Sequence, residues 1–185
     1  GAELACADDE CSLQSEAVVA VVAGQQYKIE VTGYSATSYG PGFLTIETTV
    51  PPANDNCEDV TPVALTTGVP VTFNGDNTNA APDCASFPGP NAWEAFTITE
   101  CSDVTLDYCG TSPAFGNAWL NLAIGCPCAD FTTGAAFDVT TCGDGNVSMT
   151  WAALPAGTYY YPILTETGAV GPYTIHLSCV SVTDY

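Results

Sequence analysis

One pattern occurs twice in this chain, and the repeat limits what the chain can fold into. The sequence AGQQYKI begins at residue 23, and AGTYYYP begins 133 residues later, at residue 156. Each is preceded by an apolar stretch, at 17–22 and 149–154, and each is followed by a Gly-Pro turn and a final alternating stretch. Such self-similarity indicates a repeated structural unit. Residues 1–49 are therefore predicted to be the carboxyl-terminal half of a module that appears complete at 54–185.

Strict alternation of apolar and polar residues predicts β-structure in both copies. Tyr173, Ile175 and Leu177 share one face of a predicted strand, and the residues between them share the other. Short strands separated by turn residues are typical of sandwiches. The predicted fold is all-β, an antiparallel β-sandwich of jelly-roll or Ig-like type preceded by a partial β module. The predicted strands are 17–22, 27–31, 42–49, 71–73, 92–99, 104–108, 119–124, 147–152, 158–165 and 173–177.

A proline-rich linker is predicted between the two modules. It spans residues 50–53, with the sequence VPPA. Consecutive prolines favour an extended and stiff spacer. The predicted organisation is a partial module at 1–49, the linker at 50–53, and the complete module at 54–185.

The charge of the chain excludes several partners. It contains 21 Asp or Glu residues and one Lys or Arg, which gives a formal net charge of −20. This charge repels nucleic-acid phosphates, and no basic patch opposes it, so nucleic-acid binding is excluded. No apolar stretch reaches the roughly 18 residues that a membrane-spanning helix needs, so no membrane span is expected. Calcium is the natural extracellular counter-ion for such a surface, and a solvated acidic surface is the alternative.

Ten cysteines indicate disulfide bonds in an oxidising compartment. The chain has no C-x-x-C pair and only one histidine, His176, so zinc binding is not expected. An even number of cysteines in such a chain is typical of exported proteins, and we predict a secreted, extracellular or cell-surface location. The chain does not begin with Met, which we interpret as removal of a signal peptide or as a piece of a longer product. The preferred pairings are Cys6 with Cys11 and Cys57 with Cys179.

Three short motifs resemble one bacterial family. They are NDNCED at 54–59, NAWEAFT at 91–97 and CADDEC at 6–11. With the Ala-Gly-x-x-Tyr strand, they resemble the pre-peptidase C-terminal (PPC-like) β-sandwich modules of secreted and surface proteins. The chain departs from the family pattern at Ala92, where an aspartate is expected, and at 142–145, where the acidic turn reads CGDG. The resemblance implies an accessory, targeting or assembly role rather than catalysis.

The best metal candidates are Asp8, Asp9 and Glu10, which lie between two cysteines. A short disulfide loop would hold these carboxylates together, and a divalent ion would relieve their repulsion. We predict a candidate calcium site here, with an ordinary acidic turn as the alternative. Asp55, Glu58 and Asp59 form a second candidate, and no cofactor is otherwise required.

No residue set for catalysis is apparent. His176 lies on the polar face of a predicted strand, and the chain has no G-x-S-x-G motif. Asp103 and Asp107 resemble a carboxylate pair, but exposed strand faces commonly carry such residues. The prediction is that the protein is not an enzyme.

The aromatic residues favour core packing over ligand binding. Trp93, Trp119 and Trp151 each lie in an apolar alternating stretch, which favours the core over a sugar-stacking platform. The tyrosine run 159–161 must place at least one ring on each face of its strand. Asn146 begins the only N-glycosylation sequon.

The partial module leaves an apolar surface that requires a cover. Three strands cannot bury both faces, and the cover could be the chain's own second module, a missing upstream half or a neighbouring copy. The neighbouring copy predicts a homo-oligomer, an extracellular structural fibre with head-to-tail contacts. The alternative is a carbohydrate- or surface-binding accessory module of a secreted bacterial protein or protease, with glycans as ligands. The predicted assembly interface consists of Val19, Val21, Tyr27, Ile29, Phe43 and Ile46.

Overall fold

A computed structural model of the chain divides into two compact units, Gly1–Ile46 and Glu47–Tyr185. The structure describes residues 2–7, 15, 17–33, 35, 37–84, 87, 89–126 and 130–182. The boundary between the units lies at the end of the predicted partial module, just before the proline-rich stretch.

In its described residues the second unit is a β-sandwich of eight strands. The five-stranded sheet has the order β2-β8-β4-β6-β5, and the smaller sheet has the order β1-β3-β7. All pairings are antiparallel except that of β1 with β3, which is parallel. The strands are β1 (Val63–Ala64), β2 (Val71–Asp76), β3 (Ala92–Ile98), β4 (Ser102–Asp107), β5 (Ala136–Asp138), β6 (Ser148–Leu154), β7 (Gly157–Ile163) and β8 (Pro172–Ser181).

The main core lies between the two sheets and confirms the predicted all-β sandwich. Along β4 every second residue is buried, which is the pattern of a strand with one face against a core. Phe96, Tyr161 and Ile175 are among the fully or almost fully buried side chains of this core. Among the described residues the only helical element is a single 3-10 turn, Cys57–Asp59, and no helix there is long and apolar enough to cross a membrane.

In the second unit the observed strands differ from the predicted ones in three places. The stretch 119–124 forms no regular strand, although isolated bridges link Ala118 to Thr165 and Ala123 to Tyr160 and extend the smaller sheet beyond β7. The strands β1 and β5 were not predicted. They span two and three residues, too few for alternation to be visible in the sequence.

A second, smaller core lies on the other face of the three-stranded sheet. It contains Trp93, Phe87 and Leu164, and half-buried Tyr160 packs against it, whereas Tyr159 and Tyr161 belong to the main core. The tyrosine run therefore places rings on both faces, as predicted. This arrangement follows from the two-residue period of β7.

The disulfides correct the predicted pairings. Cys57 is bonded to Cys126 within the second core, so the predicted Cys57–Cys179 bond is wrong. The physical reason is that Cys179, on β8, faces the main core, whereas Cys57 lies beyond the three-stranded sheet, and Cys179 is a buried free thiol. A second bond joins Cys109 to Cys142. Disulfides of this kind are typical of an oxidising compartment.

Of the predicted Cys6–Cys11 pair, the structure describes Cys6 alone. Cys6 is exposed and carries a free thiol. Its expected partner, Cys11, lies outside the described residues.

The described residues of the first unit form no strand, although three were predicted at 17–22, 27–31 and 42–49. In the complete module the corresponding strands are β6, β7 and β8, and each pairs with β2, β3, β4 or β5. The first unit contains no repeat of those partner strands, so its backbone groups have no ladder to join. Large apolar side chains of this unit are consequently exposed, among them Val18, Ile29 and Phe43.

Candidate functional site

An open groove separates the edges of the two sheets in the second unit. Its volume is about 360 Å³, and it lies between residues 54–63 and the outer strand β2. Its lining includes Glu94 of β3 and Tyr173 of β8. The groove is lined by Ala53, Asn54, Asp59, Val60, Thr61, Val63, Phe73, Asn74, Gly75, Glu94 and Tyr173.

Glu94 is a carboxylate on the inward face of β3. Ala92, Phe96 and Ile98 lie on the same face of β3 as Glu94, and all three belong to the main core. The Tyr173 hydroxyl donates to Glu94 Oε1 at 2.8 Å, and the Asn54 amide donates to the Tyr173 oxygen at 2.9 Å. These hydrogen bonds compensate for the placement of a carboxylate at the rim of an apolar core.

Gly75 makes this network sterically feasible. It lies opposite Tyr173 in the β2–β8 ladder. A Cβ atom at this position would overlap the phenol ring and oxygen of Tyr173. The tyrosine can therefore pass beneath β2 and reach Glu94 only because residue 75 has no side chain.

Burial raises the pKa of the Glu94 carboxyl above its ordinary value, and the hydrogen bond from Tyr173 partly opposes this shift. The folded state therefore holds the Glu94 proton more tightly than the unfolded state. Protonation of Glu94 therefore increases the free energy of unfolding as the pH falls through the folded pKa towards the unfolded pKa. This gain is absent at neutral pH. The group consequently disfavours folding most where it is ionised.

Replacement of Glu94 by Gln should remove this pH dependence. We expect the free energy of unfolding of Glu94→Gln, relative to the native protein, to be greatest near pH 7 and to decline towards pH 4. Urea denaturation at a series of pH values measures the difference. Asp138 provides a control of opposite sign, because hydrogen bonds from Thr141 and Thr140 lower its pKa to about 2. The relative stability of Asp138→Asn should rise as the pH falls, and parallel curves for the two variants would contradict the assignment for Glu94.

The predicted calcium ligands Asp8, Asp9 and Glu10 lie outside the described residues, so this site stays a prediction. In the second candidate set, Asp55 is buried and its Oδ1 accepts the Ala81 amide at 2.7 Å. Asp59 Oδ2 accepts a hydrogen bond from the side chain of Asn56. Both carboxylates thus hold neighbouring backbone or side chains in place.

The residues weighed for catalysis take part in local structure. His176 Nδ1 lies 3.2 Å from Thr72 Oγ1 on the outer face of the five-stranded sheet. Asp103 Oδ1 accepts the Ala153 amide at 2.7 Å, and Asp107 Oδ1 accepts the Cys109 amide at 3.1 Å. These two carboxylates thus stabilise a bulge and a strand end.

The tryptophans offer no shared sugar platform. Trp93 and Trp151 are buried in different cores, and Trp151 donates through Nε1 to the Leu120 carbonyl. Trp119 is half-buried and packs against Phe87. Packing in the interior, as predicted, accounts for all three rings.

The predicted interface residues are all exposed in the structure. Phe43 is fully exposed, and Ile29 and Ile46 are 59% and 69% exposed. Val19, Val21 and Tyr27 are less exposed, between 39% and 57%. Six large apolar side chains in one unit thus remain in contact with water.

Comparison with known proteins assigns no family to the chain. No family model matches it, and no curated protein matches it. Among solved structures, it is similar to the crystal structure of Aeromonas hydrophila PliG, a periplasmic lysozyme inhibitor of g-type lysozyme. The identity is 15%, the alignment covers 65% of this chain and 97% of that chain, and the TM-score is 0.38. The resemblance to PPC-like modules therefore stays a prediction.

Proposed function

We propose that this protein is a non-catalytic extracellular structural protein whose copies join head to tail through the amino-terminal unit. The observation that carries the proposal is the exposed apolar surface of residues 17–46. These residues contain every member of the predicted interface, and none of them is buried where the structure describes them. A surface of this kind marks an interaction site.

The energy of covering this surface is large enough to drive assembly. Full burial of one such side chain stabilises by about 1.5–3 kcal/mol. Several of these side chains together would offset the loss of translational freedom on association, which is about 4–15 kcal/mol. The apolar segment therefore suits a stable contact.

The distribution of charge favours this segment over the sandwich as the surface that binds another copy. Residues 17–46 contain one Lys and one Glu and so carry no net charge, whereas residues 47–185 contain no Lys or Arg. Two sandwich units therefore repel each other, and the neutral segment can approach either of them. The contact that follows joins two different surfaces, which generates an open chain of subunits unless the rotation closes a ring.

Location outside the cell is part of this proposal. The disulfides support an oxidising compartment. The resemblance to modules of secreted and surface proteins agrees with an accessory or assembly role.

Electron microscopy of the intact protein tests the proposal. We expect negative-stain images of concentrated material to contain filaments one subunit wide, and sedimentation velocity to show mass that grows with concentration. Addition of denaturant at concentrations too low to unfold the sandwich should shorten the filaments. Discrete particles of monomer mass at every concentration would contradict the proposed function.

A further inference from the structure

The sheets of the second unit end in strands of very different length. In the five-stranded sheet the outer strands are β2, with six residues, and β5, with three. In the smaller sheet the outer strands are β1, with two residues, and β7, with seven. An isolated bridge from Tyr160 to Ala123 occupies part of the free edge of β7. Among the described residues, β2 is therefore the longest outer strand whose free edge has no bridge to another segment. It also forms one wall of the open groove.

The free backbone groups of β2 can be assigned from its pairing with β8. The Asn77 amide donates to the Gly171 carbonyl at 3.2 Å, in line with the ladder in which Asp76 is opposite Pro172. In an antiparallel pair the direction of the backbone groups alternates from one residue to the next. The backbone amides and carbonyls of residues 71, 73 and 75 therefore point towards β8. Those of Thr72, Asn74 and Asp76 point to the open edge.

We propose that β2 is the acceptor edge for the amino-terminal unit of a second copy, and that residues 27–32 of that copy add to it as a strand. This inference rests on the proposed function and specifies where the contact is made. The pairing is antiparallel, with Lys28 opposite Asp76 and residues 30 and 32 opposite Asn74 and Thr72, so that Ile29 and Val31 lie opposite Gly75 and Phe73 on the inner face. Addition of a strand supplies partners for the three open amide–carbonyl sets.

The two faces of the added strand match the two faces of β2. The inner face of β2 presents Val71 and Phe73, which are half-buried and pack against the main core. In the added strand, Tyr27, Ile29 and Val31 share one face. These three side chains would extend the core over the groove and lose their contact with water.

The opposite face places the only cation of the chain near a carboxylate. Lys28 is the single Lys or Arg, and it alternates with the apolar residues of its segment. The outer face of β2 consists of Thr72, Asn74 and Asp76, which are exposed. In the antiparallel register Lys28 lies on the outer face directly opposite Asp76, and opposite charges on neighbouring strands attract.

The unique lysine permits a direct test. A zero-length carbodiimide reagent joins a carboxylate to an amine in contact with it, and Lys28 carries the only side-chain amine. Filaments assembled from equal amounts of ¹⁴N- and ¹⁵N-labelled protein distinguish links between copies from links within one copy. We expect peptide mapping to find Lys28 joined to Asp76, with both mixed-isotope species present.

Each other result of the cross-linking has a definite meaning. Links between copies from Lys28 to Asp138 on β5 would overturn the assignment of β2 and leave the proposed assembly intact. Links to Glu94 would also overturn it, because Lys28 would then point inward. Links found only within one copy would overturn it as well. The absence of filaments in the starting material is a separate result, which contradicts the proposed function itself.

A pair of substitutions at one position tests the backbone contact independently. Asn74→Pro removes an amide that points to the open edge and is tolerated by the pairing of β2 with β8. Asn74→Ala removes the same side chain and keeps the amide. We expect the proline variant to raise the concentration needed for assembly at least tenfold, and the alanine variant to change it less than twofold. The proposal would be overturned if both variants had the same unfolding midpoint as the native protein and also needed the same concentration for assembly as each other.

Discussion

Substitution of Ile29 and Ile46 by Asp in one chain should suppress assembly. Both side chains are exposed in the structure, at 59% and 69%, and both belong to the proposed contact. Loss of their burial removes about 3–6 kcal/mol of association free energy in total. Since 1.4 kcal/mol corresponds to a factor of ten, the concentration needed for assembly should rise at least about a hundredfold. Sedimentation velocity of the native and variant proteins measures this concentration.

A matched variant separates the contact from a general effect of new charge. Phe137, on β5, is 60% exposed and lies in the sandwich unit, away from the edge formed by β2. We expect Phe137→Asp to change the assembly concentration by less than threefold. Unaltered assembly by the Ile29/Ile46 variant would argue against the amino-terminal contact. Equal suppression by Phe137→Asp would show that acidic charge alone inhibits association.

Removal of the Cys57–Cys126 disulfide should strongly destabilise the sandwich. The two residues are 69 positions apart, so their bond greatly restricts the unfolded chain. In the chain-entropy model a loop of this length stabilises the folded protein by about 4 kcal/mol. We expect the double variant Cys57→Ala/Cys126→Ala to lose stability of that order in urea denaturation monitored by tryptophan fluorescence.

The free thiols provide the control for this measurement. Cys101 is half-buried and belongs to no disulfide, so Cys101→Ser should alter the free energy of unfolding by less than about 1 kcal/mol. Peptide mapping without reduction should recover Cys57 linked to Cys126. Recovery of a Cys57–Cys179 peptide would instead restore the pairing expected from the sequence and contradict the arrangement of the two cores.

The sequence predicts the central strands well because their burial alternates. Val104 and Leu106 are buried on β4 while their neighbours are partly exposed, and β8 behaves in the same way around Ile175. The stretch 119–124 alternates similarly, but its pairing is limited to isolated bridges. Alternation reports which residues face a core, and it does not report whether a neighbouring strand lies in register.

The disulfide pairing and the groove depend on contacts that no local pattern reveals. Cys57 and Cys179 mark the two ends of the predicted module, yet only the position of the three-stranded sheet between two cores shows that they cannot meet. Glu94 looks like an ordinary polar residue of an alternating strand. Its partners Asn54 and Tyr173 are 40 and 79 residues away in the chain, so the network emerges only from the packed fold.

The strands predicted for the first unit illustrate a different limit. Their sequence repeats β6, β7 and β8, which suffices to predict β-propensity at 17–22, 27–31 and 42–49. A strand also requires a partner, and the single chain contains no second copy of β2, β3, β4 or β5 for this unit. Propensity without a partner therefore leaves the described residues of this segment exposed and without a regular strand.

The lack of any Lys or Arg between residues 47 and 185 affects how the proposed filaments would pack against one another. Neighbouring filaments would present carboxylates to each other along their whole length, with a repulsion that reaches about 8 Å at physiological ionic strength. The proposed filaments would therefore stay dispersed at low ionic strength and associate side by side at high salt concentration, where the repulsion is screened.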